Sequence, residues 1–133
     1  MKPPELLAVT LVVGFTGLLW IPIIVNRLRE MGPCPALKNP QPDVRPDADW
    51  AYRLQNAHRN AIENLAVFAP LAIIVHVAQA GNGLTAGAGT VFVLSRVAHA
   101  IIYTQGIPLW RTIAFVAGFG CQMIYLFRLL AWI

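Results

Sequence analysis

A chain of 133 residues with 57% apolar and 12% charged side chains, and a mean hydropathy of +0.60, carries about half the charge of an ordinary soluble domain. A soluble domain this small has more surface than so few polar groups can cover, so that class is excluded and an integral membrane protein remains. The net charge of +4 fits basic edges at a membrane surface and gives no reason to expect nucleic acid as a partner.

The first uncharged run, LLAVTLVVGFTGLLWIPIIV at residues 6–25, is twenty residues long, about 30 Å as a helix and enough for a bilayer core. A helix is expected over residues 5–29. The run is longer than a signal-peptide core, and the basic NRLRE follows where a small-residue cleavage site would stand, so no cleavage is expected. Residues 31–48 hold five prolines and predict an extended or turning cytosolic linker without regular helix. Asp49 is then placed to cap a second helix over residues 49–80, which starts at the interface, enters the membrane near Glu63 and is kinked or loosened at Pro70. A third helix is expected over residues 84–104 and a fourth over 108–132. The glycines at 14, 17, 87, 89, 118 and 120 suit close helix contact in lipid. The expectation is one all-α domain over residues 1–133, a bundle of four transmembrane helices.

Basic residues orient the bundle. Arg27, Arg29, Lys38, Arg45, Arg53 and Arg59 surround the first connection, and Arg111 marks the third. The second connection, GNGLTAG, has no charge. The positive-inside rule then puts the first and third connections in the cytoplasm and both termini outside. Short termini and minimal loops point to a bacterial inner membrane. Cys34 and Cys121 lie far apart in this topology with no ligand-like spacing, so neither a disulfide nor a metal site is expected.

The chemistry gathers in NAHRNAIEN, residues 56–64, just ahead of the apolar run LAVFAPLAIIVHVA. At 100° per residue, Arg53, Asn56, Asn60, Glu63, Asn64 and Val67 fall within an arc of about 100°, with Arg59 flanking it and able to pair with Glu63. On the third helix Arg96, His99 and Tyr103 form one stripe, and Arg111 and Thr112 open the fourth. Ionisable groups inside a membrane cost at least about 2.5 kcal/mol each near the centre and normally face protein or a wet cavity. Arg59, Glu63, Arg96, His99 and Arg111 are therefore expected to share a cavity at the cytosolic edge. Excess cations around one carboxylate fit an anionic metabolite with two carboxylates and one ammonium. A side open to lipid would admit an apolar second substrate.

The segments NRLRE (26–30), RLQNAHRNAIEN (53–64) and SRVAHAIIYTQGIPLWRT (95–112) resemble those of the MAPEG family, membrane-associated proteins in eicosanoid and glutathione metabolism. They are closest in motif to its microsomal prostaglandin E synthases and glutathione transferases. The resemblance covers essentially the whole chain. It implies a homotrimer with glutathione bound at each subunit interface, and a transferase or peroxidase acting on a lipophilic electrophile or hydroperoxide. Matched residue by residue, it implies that Arg27, Arg53, Arg59, Asn60, Glu63, Arg96, His99, Tyr103 and Arg111 hold glutathione. Arg111, with the Thr112 hydroxyl, would favour the thiolate. This chain departs from the pattern at Asn56, where family members often have arginine, and at Thr112, which replaces a serine. No loop aspartate among Asp43, Asp47 and Asp49 matches the one proposed to assist the synthase. The alternatives are a non-catalytic trimeric scaffold binding an anionic ligand or lipid, and a small transporter relaying protons through Glu63 and His99.

Overall fold

The protein is all-α in a computed structural model that describes residues 3–39 and 44–133; Lys2 and Asp43 lie outside the described residues. Among the described residues, four helical stretches are long and apolar enough to cross a membrane: Pro4–Met31, Asp49–Val77, Gly83–Gln105 and Pro108–Leu129. The chain is an integral, multi-pass membrane protein.

The first stretch divides into α1 (Pro4–Leu18) and α2 (Trp20–Met31). The division at Leu19 follows from Pro22, which has no N–H to give to the Leu18 carbonyl and crowds that oxygen with its ring. Gly32 ends α2 at φ 77°, in the left-handed region. The connection that follows contains a single helical turn, α3 (Pro33–Ala36), contrary to the expectation that its prolines forbid helix. Pro33 opens that turn and Pro35 lies two residues on, where backbone N–H groups have no intrahelical partner to lose.

The long helix α4 (Asp49–Val77) starts differently from the expectation. Its N-cap is Ala48, and Asp49 is the first helical residue, 4.0 Å from Arg45. The amides at its entrance go instead to Glu30 at the end of α2, which accepts from Asp47 N at 3.2 Å and Ala48 N at 3.0 Å. Asn26 Nδ2 holds the same carboxylate at 2.8 Å. A carboxylate on orphan amides is a strong cap, because the acceptor is charged. Helix α4 runs through Pro70 to Val77.

Helix α5 (Gly83–Gln105) opens on a capping box in which Asn82 and Thr85 satisfy each other's backbone amides. It closes on Gly106 at φ 79°. Helix α6 (Pro108–Leu129) begins two residues later with proline in its first turn.

Small residues let these helices approach. The buried stripe of α4 is Ala51, Leu54, Ala57, Ala61, Asn64, Phe68, Ala72 and Val75, the three-to-four spacing of one helix face. A Cβ at Gly89 of α5 would sit 2.8 Å from the Tyr125 hydroxyl and 3.1 Å from Ala8 Cβ, so α1, α5 and α6 meet where only glycine fits. The apolar core lies in that half of the bundle. Phe68 stacks on Phe92 at 3.8 Å and meets Tyr125 edge-on at 5.2 Å. Large apolar side chains such as Leu11, Leu94, Ile101, Leu109 and Val116 stay exposed on the outside, as a lipid-facing surface requires.

Polar contacts close the two ends. At one end Thr85 Oγ1 donates to the buried Glu5 carboxylate at 2.8 Å, Tyr125 OH to Thr85 O at 2.9 Å, and Arg128 Nε to Ala80 O at 2.8 Å. At the other, alongside the Glu30 contacts, Arg53 Nε donates to Thr104 O at 2.9 Å. The functional residues expected from sequence belong to this second end.

Candidate functional site

Helix geometry decides which polar residues face inward. On α4, Arg59 projects about 140–160° away from the Ala61 and Asn64 seam that packs against the bundle. Arg59 and Glu63 are accordingly exposed, Arg53 and Asn60 half-buried, and Asn64 buried. The expected Arg59–Glu63 pair does not form. Arg59 Nη2 donates to Asn56 Oδ1 at 2.8 Å, and among the described residues the ion pair within 4.0 Å is Arg45–Asp49.

Helix α5 sends its polar stripe into the bundle. Arg96 is 1% exposed and His99 4%. Among the described residues Arg96 has no carboxylate beside it; it donates through Nη2 to Ala114 O at 3.0 Å and Phe115 O at 3.4 Å on α6. Nη1 reaches Asn60 Oδ1 on α4 at 3.4 Å, and the guanidinium lies near the Phe92 and Phe115 rings at 5.5 and 5.8 Å. One buried arginine thereby joins three helices. Among the described residues the expected single cavity shared by Arg59, Glu63, Arg96, His99 and Arg111 is not present, because the first two face out and the next two face in.

The mouth of the bundle is built around Tyr103. Its half-buried ring meets His99 edge-on at 5.5 Å and carries the Arg111 guanidinium at 4.4 Å. Pro108 and the tight Gly106 turn deliver Arg111 there in the first turn of α6. Thr112 is exposed, and its hydroxyl donates to Pro108 O at 3.1 Å, so service to a ligand sulfur requires that it rotate. Arg53 is tied to Thr104 O and packs on Gly106, where a Cβ would lie 3.3 Å from its guanidinium. It braces the α5–α6 turn. Arg27 lines a separate cavity of about 270 Å³ under the proline-rich connection, with Lys38, Arg45 and Gln55, and its buried Nε has no hydrogen-bond partner among the described residues.

Sequence reasoning passed over Gln122. This buried side chain of α6 donates to Asn64 O at 3.1 Å and Oδ1 at 3.3 Å. Asn64 Nδ2 in turn donates to Asn60 O at 2.9 Å and Oδ1 at 3.3 Å. A polar ladder, Gln122–Asn64–Asn60–Arg96, thus runs from the apolar core to the site. The signal available was one amide residue in the otherwise apolar FVAGFGCQMIYLF.

Chemically, the arrangement offers a cation on an aromatic face at the mouth and a surface of α4 bearing arginine, amide and carboxylate together. An anionic ligand that also carries a cationic group fits that donor set. The sequence model of the MAPEG family matches residues 6–131. No curated protein matches the chain.

Proposed function

The chain belongs to the MAPEG family, and from that premise we propose that it is a membrane-bound glutathione-dependent transferase or peroxidase acting on lipophilic substrates. The observation that carries this reading is the outer face of α4. Arg59 and Glu63 stand exposed there, where α4 enters the membrane, and an ionised side chain turned toward lipid with no protein or wet cavity to face is unfavourable. A second copy covering this face, with an anionic ligand between the subunits, relieves that cost; the proposed assembly is a homotrimer.

In this reading Arg59 and the Asn60 amide receive the carboxylates and peptide carbonyls, Glu63 receives the ammonium, and Arg27 reaches the same ligand from the neighbouring cavity beneath the first connection. Glutathione supplies a thiol nucleophile. Arg111, fixed over Tyr103, places a permanent positive charge beside the sulfur, while His99 and Arg53 hold the Tyr103 ring and the α5–α6 turn in place. The apolar substrate arrives from lipid.

Calorimetric titration of the detergent-solubilised protein with glutathione tests the reading. Saturable binding is expected, with Arg59→Ala weakening it about 10-fold or more, since a charge-assisted contact is lost. Absence of binding at millimolar glutathione overturns the transferase assignment and favours the non-catalytic scaffold.

Orientation is proposed from charge, with the first and third connections in the cytoplasm of a bacterial inner membrane. Cys34 is exposed in the first connection and Cys121 is buried in α6. A membrane-impermeant maleimide is therefore expected to label inverted inner-membrane vesicles at Cys34 and to leave intact spheroplasts unlabelled. The reverse pattern overturns the orientation.

A further inference from the structure

The ladder behind the site has a fixed polarity, and that polarity reaches Asn60. Gln122 Nε2 faces the backbone carbonyl of Asn64 at 3.1 Å, and Asn64 Nδ2 faces the backbone carbonyl of Asn60 at 2.9 Å. Carbonyls only accept, so both amides are locked nitrogen-first toward them. Arg96, which only donates, approaches Asn60 Oδ1 at 3.4 Å, and Asn64 Nδ2 approaches the same oxygen at 3.3 Å. Two donors on one oxygen leave a single orientation for the Asn60 amide. Its oxygen is used inward. Its Nδ2 makes no side-chain hydrogen bond among the described residues, and the buried unpartnered side-chain atoms are Thr16 Oγ1 and Arg27 Nε, so this nitrogen keeps access to the outside.

We propose that Gln122 and Asn64 are positioning residues that hold Asn60 as an obligate double donor toward a ligand acceptor. The inference rests on the glutathione reading and deepens it. Asn60 recognises a carboxylate or peptide carbonyl oxygen and rejects an ammonium or amide N–H, and that selectivity is set from two other helices, by Arg96 on α5 directly and by Gln122 on α6 through Asn64. Without the ladder, a free asparagine amide could turn over and offer its oxygen, accepting the wrong end of a peptide-like ligand. The assignment also separates the two ends of the tripeptide, since the acceptor for its ammonium must come from elsewhere, with Glu63 one turn along α4.

Asn60→Asp tests the polarity directly. Aspartate keeps an oxygen for Arg96 and Asn64 but replaces the outward nitrogen with an anionic oxygen. The melting temperature of the detergent-solubilised variant is expected to equal or exceed that of the unmodified protein, because a carboxylate now faces a buried arginine. Glutathione affinity is expected to fall about 30-fold or more, because two donors are lost and a like charge faces the ligand. Gln122→Leu removes the ladder's origin and is expected to weaken glutathione about 5-fold in the unmodified background and to add nothing in the Asn60→Asp background. A role for Gln122 in packing alone would give additive effects.

Affinity of Asn60→Asp within 3-fold of the unmodified protein, or full additivity of the two substitutions, overturns the inference. So does a melting temperature that falls in Asn60→Asp as far as in Asn60→Leu, since the oxygen would then not be the inward atom. That last readout needs no ligand. Failure of the unmodified protein to bind glutathione would instead strike the functional reading, while the melting temperatures still decide the amide's orientation.

Discussion

Arg111→Ala is expected to lower glutathione-dependent turnover by about 100-fold or more at neutral pH, the usual loss when a preorganised charge is taken from a developing anion. A free thiol titrates at about 8.5 and is mostly protonated at pH 7. A guanidinium beside it favours the thiolate and stays charged throughout the accessible range. Removing that charge raises the thiol's titration point. The variant's rate should therefore climb with pH up to the ordinary thiol range, where the unmodified protein is expected to be already flat. The contact over the Tyr103 ring at 4.4 Å fixes where the charge sits, so Arg111→Lys, which keeps charge but loses the guanidinium, should fall between the two. A stopped-flow measurement of thiolate absorbance across pH checks the sequence of events. Retention of more than a tenth of the turnover in Arg111→Ala, with an unchanged pH profile, would remove Arg111 from the chemistry.

The largest effect on stability is expected at Gly118. A Cβ there would collide with the Arg96 guanidinium and lie 2.9 Å from Ser95 Oγ. Arg96 cannot swing aside, because it is 1% exposed and committed to carbonyls of Ala114 and Phe115. Overpacking costs about 1–3 kcal/mol, and weakening a hydrogen bond to a charged group about 1.5–3 kcal/mol. Gly118→Ala should therefore lose about 3–5 kcal/mol and show a clear drop in melting temperature. Gly120, two residues along the same helix, provides the control. A Cβ there meets nothing within 4 Å, and alanine is the better helix former by about 1 kcal/mol. Gly120→Ala should melt at or above the unmodified temperature. Equal behaviour of the two variants would mean that Arg96 is not packed against α6 as described.

The four spans and the family were legible in the sequence because both signals are local. Uncharged runs of membrane length announce themselves, and the segments around Asn60, His99 and Arg111 keep their spacing. Destinations set by tertiary packing were not legible. Asp49 has the local features of a helix cap, yet the entrance to α4 is served by Glu30, a carboxylate 17 and 18 residues earlier in the chain than the amides it accepts. Arg96 and Arg59 both read as intramembrane arginines. Their fates diverge because one faces α6 carbonyls and the other lies opposite the alanine seam of α4, which depends on how the helices rotate against each other. Pro22 did carry a local signal for the division at Leu19, as Pro33 and Pro35 did for a first turn of helix. Gln122 is legible only once α4 is known to pass beside it.

The carbonyl-held arginine also bears on how the chain is made. An arginine at the middle of a lone span costs about 2.5–3.5 kcal/mol on the scale that governs entry into the bilayer. Helix α5 carries Arg96 and His99 without any acid of its own to offset them. The acceptors that satisfy Arg96 belong to α6, which is separated from α5 by only two residues. During synthesis α5 thus reaches the translocation machinery before its own acceptors exist. The α5–α6 hairpin, rather than either helix alone, is therefore the expected unit of entry into lipid, and an Arg96-bearing α5 presented to the membrane without α6 is expected to insert less efficiently than the hairpin.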